Sequence, residues 1–188
     1  MVQIRRRPVA RAAIVASIIA VSAALPVAAV NEVTQVITAG TRSASIADLA
    51  LASVAYSHSA QTSTGTLTLT ADDSTGSNLG WNVTVQASAF AYTGGNGGTD
   101  IPAASFSLTS ASAATRTAGQ AVSGIGGPSV PLISPVGTLD SARKVLQAQP
   151  TFGNGTYTQQ LGVSLSIPAQ SAAGTYTGTL TTTISAAP

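Results

Sequence analysis

Residues 157–167, YTQQLGVSLSI, are the stretch that decides the fold class, because apolar side chains recur at every second position. Successive side chains of a β-strand point to opposite faces, whereas an amphipathic helix would place its apolar residues three or four apart. The apolar face of this stretch carries Leu161, Val163, Leu165 and Ile167. Pro168 follows directly and ends the pattern, since proline cannot donate to a strand ladder. The stretch predicts a strand with one buried face and one hydroxyl-rich face.

Further stretches of the same kind precede and follow this one. They are TGTLTLTA (64–71), WNVTVQASAF (81–90), AASFSLTS (103–110) and GTYTGTLTTTI (174–184), and the β-prone NEVTQVIT (31–38) opens the domain. Turn-forming clusters such as ADDSTGSNLG and FGNG separate them. Short alternating strands between turns predict an all-β fold, either an antiparallel β-sandwich or a Greek-key-like barrel.

Three segments leave their local structure open. IADLALASVAY (46–56) and SARKVLQAQ (141–149) fit a short helix or a strand, because periodicity does not separate the two in short apolar runs. Residues 117–138 contain many glycines and prolines, which predicts a long excursion over the surface. The strand order does not follow from any of them.

The amino-terminal residues have the pattern of a secretory signal peptide. A cationic stretch reaching Arg11 precedes AAIVASIIAVSAAL, an apolar core too short to cross a bilayer comfortably, and Pro26 ends it. Small residues at positions 27 and 29 predict cleavage after Ala29, with an uncleaved membrane anchor as the alternative. The sequence therefore predicts a signal peptide over 1–29 and one all-β domain over 30–188, secreted and associated with the cell surface or cell wall, with no later membrane span.

The charge distribution argues against a nucleic-acid partner. The chain has eight Lys and Arg residues against six Asp and Glu residues, but four of the arginines precede the apolar core. The predicted domain thus keeps four bases against six acids, a net charge of −2. Phosphate binding needs clustered cations, and among the four bases of the predicted domain only Arg143 and Lys144 are adjacent. The chain also has no cysteine, so the exported domain is expected to be stable without disulfides.

No group of residues has the spacing of a catalytic or metal site. His58 is the only histidine, which excludes a zinc site with paired histidines, and no GxSxG elbow accompanies it. Asp72, Asp73 and Asp100 lie in turn sequences and lack the dense oxygen ligands of calcium loops. No pair of carboxylates recommends itself for glycoside hydrolysis. The sequence predicts a protein that is not an enzyme and holds no metal or cofactor.

Two stretches resemble the WxL-domain surface proteins of Gram-positive bacteria. They are LTLTADDSTGSNLGWNVTVQASAF and KVLQAQPTFGNGTYTQQLGVSLSIPAQSAAGTYTGTLTTTISAAP, and the resemblance spans residues 46–188. It implies non-covalent association with the cell wall through peptidoglycan and, in some members, assembly with partner surface proteins. The chain departs from both family motifs, because Val83 stands where Leu is usual and Thr182 occupies the position matched to the second Trp.

Four side chains are candidates for contact with wall polymer or another ligand: Trp81, Val83, Tyr176 and Ile184. The ring of Trp81 could be a sugar-stacking platform, but it shares a strand face with Val83 and Val85, which favours a core position. The sequence thus predicts a non-catalytic surface protein that binds peptidoglycan or partner surface proteins. The alternative is a pilin- or coat-like subunit that assembles through sheet edges, since the Thr-rich strands carry almost no Lys or Glu.

Overall fold

The structure of the protein is a computed structural model that describes residues 32–133 and 135–186. The chain divides into two compact units, Met1–Val36 and Ile37–Pro188, and the architecture described here is that of the second. The predicted signal peptide, residues 1–29, lies outside the described residues. Within residues 32–133 and 135–186 there is no helical segment with the length and hydropathy of a membrane span.

The described residues form eleven strands and one short 3-10 helix, Ala103–Ser105. The strands are β1 Arg42–Ile46, β2 Gln61–Asp73, β3 Trp81–Ala87, β4 Ala91–Thr93, β5 Phe106–Ala111, β6 Thr115–Gly119, β7 Gly137–Thr138, β8 Arg143–Ala148, β9 Gly155–Ile167, β10 Thr175–Thr177 and β11 Leu180–Ala186. Every strand pair among them is antiparallel. The predicted all-β antiparallel class is confirmed.

Two sheets enclose the core. The larger has the order β1-β2-β9-β5-β7, with β6 also paired to β9, and the smaller has the order β11-β3-β8. A separate ribbon pairs β10 with β4. In the described part of the chain no sheet closes on itself, so the fold is a sandwich and not a barrel.

Alternating side chains from both sheets build this core. Leu161 and Val163 of β9 are buried, as are Trp81, Val83 and Val85 of β3, and all five belong to one apolar cluster. The residues between them on each strand lie on outer faces that are rich in Ser, Thr and Gln. The period-two faces predicted for these two strands are therefore the faces that meet in the core.

Some sequence interpretations change in the structure. Residues 32–38 form no strand, and the domain opens instead with β1. Residues 47–56 are neither helix nor strand, and only Ile46 of the segment 46–56 belongs to β1. The ambiguous segment 141–149 contains a strand, β8. The predicted strand over 103–110 begins with the 3-10 helix and becomes extended only at Phe106.

The last predicted strand, 174–184, is divided between two sheets. β10 pairs with β4, whereas β11 pairs with β3. The break lies at Gly178, where a Cβ would come within 3.1 Å of the ring of Phe90. Glycine lets the backbone pass close to this ring and change sheets, a long-range constraint that the alternating pattern of the segment does not reveal.

The predicted excursion over residues 117–138 returns to the sheets instead of running free. Its first residues belong to β6 and its last to β7. Between them, the backbone of Ser129 exchanges two hydrogen bonds with Gln147 of β8, at 2.8 and 3.0 Å. The excursion therefore covers part of the β8 edge of the smaller sheet.

Candidate functional site

A groove on the domain is lined by segments that lie far apart in sequence. Its volume is about 380 Å³. One wall is the irregular segment 51–57, and the floor combines the start of β2 with the end of β9. The opposite wall is formed by residues 168 and 171–176. We call it the tyrosine groove, because Tyr56 and Tyr176 belong to its two walls.

The chain that leads into the first wall crosses β2 at Gly65, on the core-facing side that this glycine shares with Ser63 and Leu67. A Cβ at Gly65 would lie 2.8 Å from the side chains of both Leu49 and Leu51. The absence of a side chain therefore gives these leucines the space to pack over the strand. The hydroxyl of Ser63 then donates a hydrogen bond to the carbonyl oxygen of Ala52 at 3.1 Å, which ties the segment to β2.

The two walls are joined to each other at one end of the groove. The backbone N–H of Gln170 donates to the carbonyl oxygen of Ser57 at 2.9 Å. The loop that carries Gln170 is braced internally, since the hydroxyl of Ser171 donates to the carbonyl oxygen of Pro168 at 2.8 Å. The shape of the groove is thus set by backbone hydrogen bonds and not by a flexible side chain alone.

Two tyrosines hold the second wall. The rings of Tyr92 and Tyr176 pack with centroids 5.2 Å apart. The Tyr176 hydroxyl donates to the carbonyl oxygen of Ala172 at 2.9 Å, and the Tyr92 hydroxyl donates to that of Ala173 at 3.0 Å. Both hydroxyls are therefore engaged in shaping the loop, and what Tyr176 offers to a ligand is part of its ring.

Tyr56 lies at the rim of the groove in a different environment. Its side chain is 57% exposed, and its ring meets His58 edge to face with centroids 5.2 Å apart. Among the described residues, no Asp, Glu, Lys, Arg or His lines the groove. The arrangement combines an exposed aromatic ring with serine hydroxyls and backbone carbonyls and carries no formal charge, which suits an uncharged polar ligand.

The structure places Trp81 and Val83 inside the sandwich. Both are completely buried. The indole N–H of Trp81 donates to the carbonyl oxygen of Gly153 at 3.0 Å, and the ring packs against Tyr157 with centroids 6.2 Å apart. This burial fits the core interpretation of Trp81. Direct contact of either residue with a polymer would require the sandwich to open.

The other two candidates are half-buried and do not come together. Ile184 on β11 lies directly opposite Val83 of β3, on the inward face of the smaller sheet. Tyr176 belongs to the β10–β4 ribbon and the tyrosine groove. The four candidates are therefore not one surface, and ligand binding by Tyr176 and Ile184 stays a prediction. Thr182, the position matched to the second Trp, is half-buried opposite Val85.

The two aspartates at the end of β2 are engaged in internal hydrogen bonds. Asp73 is buried and accepts a bond from the Arg42 guanidinium at 2.8 Å and from the Thr75 hydroxyl at 2.6 Å. Burial alone would raise the pKa of Asp73, but these bonds outweigh it and hold the pKa below its ordinary value. Asp72 accepts bonds from the hydroxyls of Ser74 and Thr156, both at 2.7 Å.

Asp72 and Asp73 therefore act as structural hydrogen-bond acceptors at the end of β2. Asp100 likewise accepts a bond from the backbone N–H of Tyr92 at 2.8 Å, far along the chain from the other two. In the part of the chain that the structure describes, no three or more His, Cys, Asp or Glu residues are grouped so as to hold a metal ion.

The sequence patterns missed Tyr56, although it is the most exposed tyrosine of the groove. It lies in a segment for which the sequence left helix or strand open, between Ala55 and Ser57 and two residues before the only histidine. An aromatic residue in such an irregular segment is a modest signal for a surface role, because binding residues concentrate in loops. Its position opposite residues 168 and 171–176 depends on tertiary structure.

The comparison with protein families assigns the domain to a family of surface proteins. Residues 29–188 match the family model described as WxL domain, surface cell wall-binding. No curated protein and no solved structure shows significant similarity to the chain. The match covers the whole β-sandwich and confirms the resemblance seen in the two quoted stretches. The chain therefore belongs to the WxL family of cell-surface, cell-wall-binding domains.

Proposed function

We propose that this protein is a non-catalytic surface domain that binds the glycan of peptidoglycan non-covalently in the tyrosine groove. The observation that carries the proposal is an uncharged groove with a solvent-exposed tyrosine at its rim, on a domain of a wall-binding family. Cell-surface or cell-wall association follows from the family. The polymer and the groove as its site are the proposed steps.

The chemistry of the groove suits a neutral sugar chain. The C–H face of a sugar ring packs on an aromatic face, and the exposed ring of Tyr56 supplies one at the rim. Sugar hydroxyl and acetamido groups need donors and acceptors without full charges, which Ser53, Ser57 and the backbone of the same wall supply. A volume of about 380 Å³ lies in the range of small-molecule sites, so the groove would hold a short part of a longer chain.

The same groove offers little to a hydrolytic mechanism. Glycoside hydrolysis uses two carboxylates on either side of the scissile bond. No carboxylate of the described residues lines the groove. Asp72, Asp73 and Asp100 each accept hydrogen bonds from other residues of the fold. These observations support binding without turnover.

The test is cosedimentation of residues 30–188 with insoluble peptidoglycan, comparing the wild type with Tyr56→Ala. We expect the wild type to sediment and the fraction bound to fall several-fold in the variant. Leu79→Ala is the matched control, because Leu79 is 59% exposed and lies outside the groove. Recovery of the wild type entirely in the supernatant would refute wall binding. Equal binding of the wild type and Tyr56→Ala would show that the groove is not the binding site.

One observation favours a second candidate function, a self-assembling structural subunit. β11 is an edge strand, and residues 174–186 contain no charged residue and no proline to block pairing with another chain. Partner surface proteins could use the same edge. Light scattering over a range of concentrations separates the candidates, since a strict monomer argues against assembly.

A further inference from the structure

Among the described residues β11 pairs with β3 alone, so its outer edge presents backbone groups to which no described strand is paired. The carbonyl oxygen of Thr179 accepts a hydrogen bond from the N–H of Ser88 at 2.9 Å, and Leu180 is then opposite Ala87 in the antiparallel register. In such a ladder every second residue directs its N–H and C=O toward the neighbouring strand. Thr181 and Thr183 therefore point these groups at β3. Leu180, Thr182 and Ile184 point theirs away from it.

This edge differs from the opposite edge of the same sheet. The β8 edge is partly covered, because the excursion pairs with it through Ser129 and Gln147. In residues 32–133 and 135–186, β11 forms a ladder only with β3, and β1 of the larger sheet passes close to it without pairing. Its sequence offers none of the usual obstacles to strand addition, neither Lys nor Glu nor Pro.

An apolar cleft opens beside the start of β11. Its volume is about 430 Å³, and its lining is mainly apolar, with Ile46, Leu49, Leu67, Phe90, Phe106 and Leu180, although Asp48 also lines it. Leu49 is 37% exposed. The inward residues of β11, Leu180, Thr182 and Ile184, are only half-buried, which fits a core that is open along this edge. A strand added to β11 could place apolar side chains in this cleft.

The chain itself contains a segment with the complementary properties. Residues 32–38 form no strand, yet Val33 and Ile37 are 97% and 91% exposed and Val36 is 72% exposed. In an extended conformation Val33 and Ile37 fall on one face. The segment has seven residues, like β11, and its one charged side chain is Glu32 at the end. The predicted cleavage after Ala29 would leave it near the amino terminus of the exported chain.

We propose that residues 32–38 of one copy add as a strand to the β11 edge of a second copy, with Val33 and Ile37 directed into the apolar cleft. The added strand satisfies the outward backbone groups of β11 and removes exposed apolar side chains from water at the same time. Because donor and acceptor are different surfaces, the contact is head to tail and can continue from copy to copy. This assembly is separate from glycan binding in the tyrosine groove.

The test uses the full chain expressed in an exporting host and measures its mass by light scattering over a range of concentrations. A donor variant, V33K/I37K, charges the added segment. An acceptor variant, T182P, removes one outward N–H that β3 does not use. We expect the mass of the wild type to rise with concentration and each variant to remain a monomer.

Mixing the two variants gives the decisive result. The intact segment of T182P can pair only with the intact edge of V33K/I37K, so the mixture should form a one-to-one complex and no larger species. L79K/I125K is the matched control, since it charges two exposed apolar positions elsewhere and should assemble like the wild type. Fluorescence of the buried Trp81 reports folding of every variant. If T182P does not fold, T183K takes its place.

Several results would overturn the proposal: a monomeric wild type, continued assembly of either single-surface variant, or no complex in the mixture of folded variants. Assembly of V33K/I37K in particular would indicate pairing of two β11 edges. Tyr56→Ala should assemble normally. A loss of wall binding without a loss of assembly, or the reverse, therefore distinguishes failure of one proposal from failure of the other.

Discussion

Truncation of Trp81 to alanine tests whether this residue stabilises the sandwich or binds a ligand. The side chain is completely buried, its ring contacts Tyr157, and its N–H donates to Gly153 at 3.0 Å. Trp81→Ala removes the largest fully buried side chain of the described core and leaves the carbonyl of Gly153 without its donor. Both effects act on the folded state.

The expected loss is large compared with the stability of a domain. Truncation of a buried Phe or Trp costs about 3–5 kcal/mol, and loss of the hydrogen bond adds about 1 kcal/mol. The free energy of unfolding should therefore fall by about 4–6 kcal/mol. Since domains are stable by about 5–15 kcal/mol, the variant should be close to unfolding at ordinary temperature.

Urea unfolding followed by far-ultraviolet circular dichroism measures this change, because the variant has lost the fluorescent reporter. Trp81→Phe is the graded control, since it keeps an aromatic ring in the core and loses the hydrogen bond and part of the volume. It should fall between the wild type and alanine. In the wild type, iodide should quench the fluorescence of Trp81 weakly.

A change below about 1 kcal/mol, the size expected at a surface position, would contradict the core assignment. The contradiction would be strongest if the stable variant had also lost its binding to peptidoglycan. Trp81 would then be a ligand contact, and the protein would have to expose its side chain in order to bind.

Three further predictions concern turns and loops. Acid should destabilise the wild type more than it destabilises Asp73→Asn, because the pKa of Asp73 is lowered in the folded state. The stabilisation that comes from this lowered pKa is complete above about pH 3.9, the ordinary value, and is lost as the pH falls through the lowered value. Urea midpoints at pH 7 and pH 3 check this, and equal acid sensitivity would contradict it. Gly153→Ala should cost about 1–3 kcal/mol, because position 153 has φ +79° and its new Cβ would overlap that of Ala148 and lie 2.7 Å from the Trp81 nitrogen. Unchanged urea stability would argue against it. Tyr92→Phe should cost about 1 kcal/mol by removing the hydroxyl that bonds Ala173, and faster hydrogen exchange confined to residues 168–174 would locate the effect.

Strands whose two faces differ were predictable from local patterns. The alternation in 81–90 and 157–167 identified β3 and β9, because burial of one face of a strand imposes period two on the sequence. The family followed from the same stretches and their turns, and the family match confirms it. The site was less accessible. Tyr176 was among the candidates, but Tyr56 was not, because nothing local distinguishes a groove wall from any other irregular segment.

The sequence by itself determined the all-β class, the faces of the main strands and membership of a surface, wall-binding family. Each of these depends only on short-range periodicity and on the order of motifs along the chain. Tertiary structure alone decided that Trp81 is enclosed, that segment 51–57 meets residues 168 and 171–176 across a groove, and that β11 forms an edge while β8 is partly covered. The physical reason is that these properties depend on which distant strands become neighbours. Strand order, unlike strand pattern, is set by contacts between residues that no local window contains.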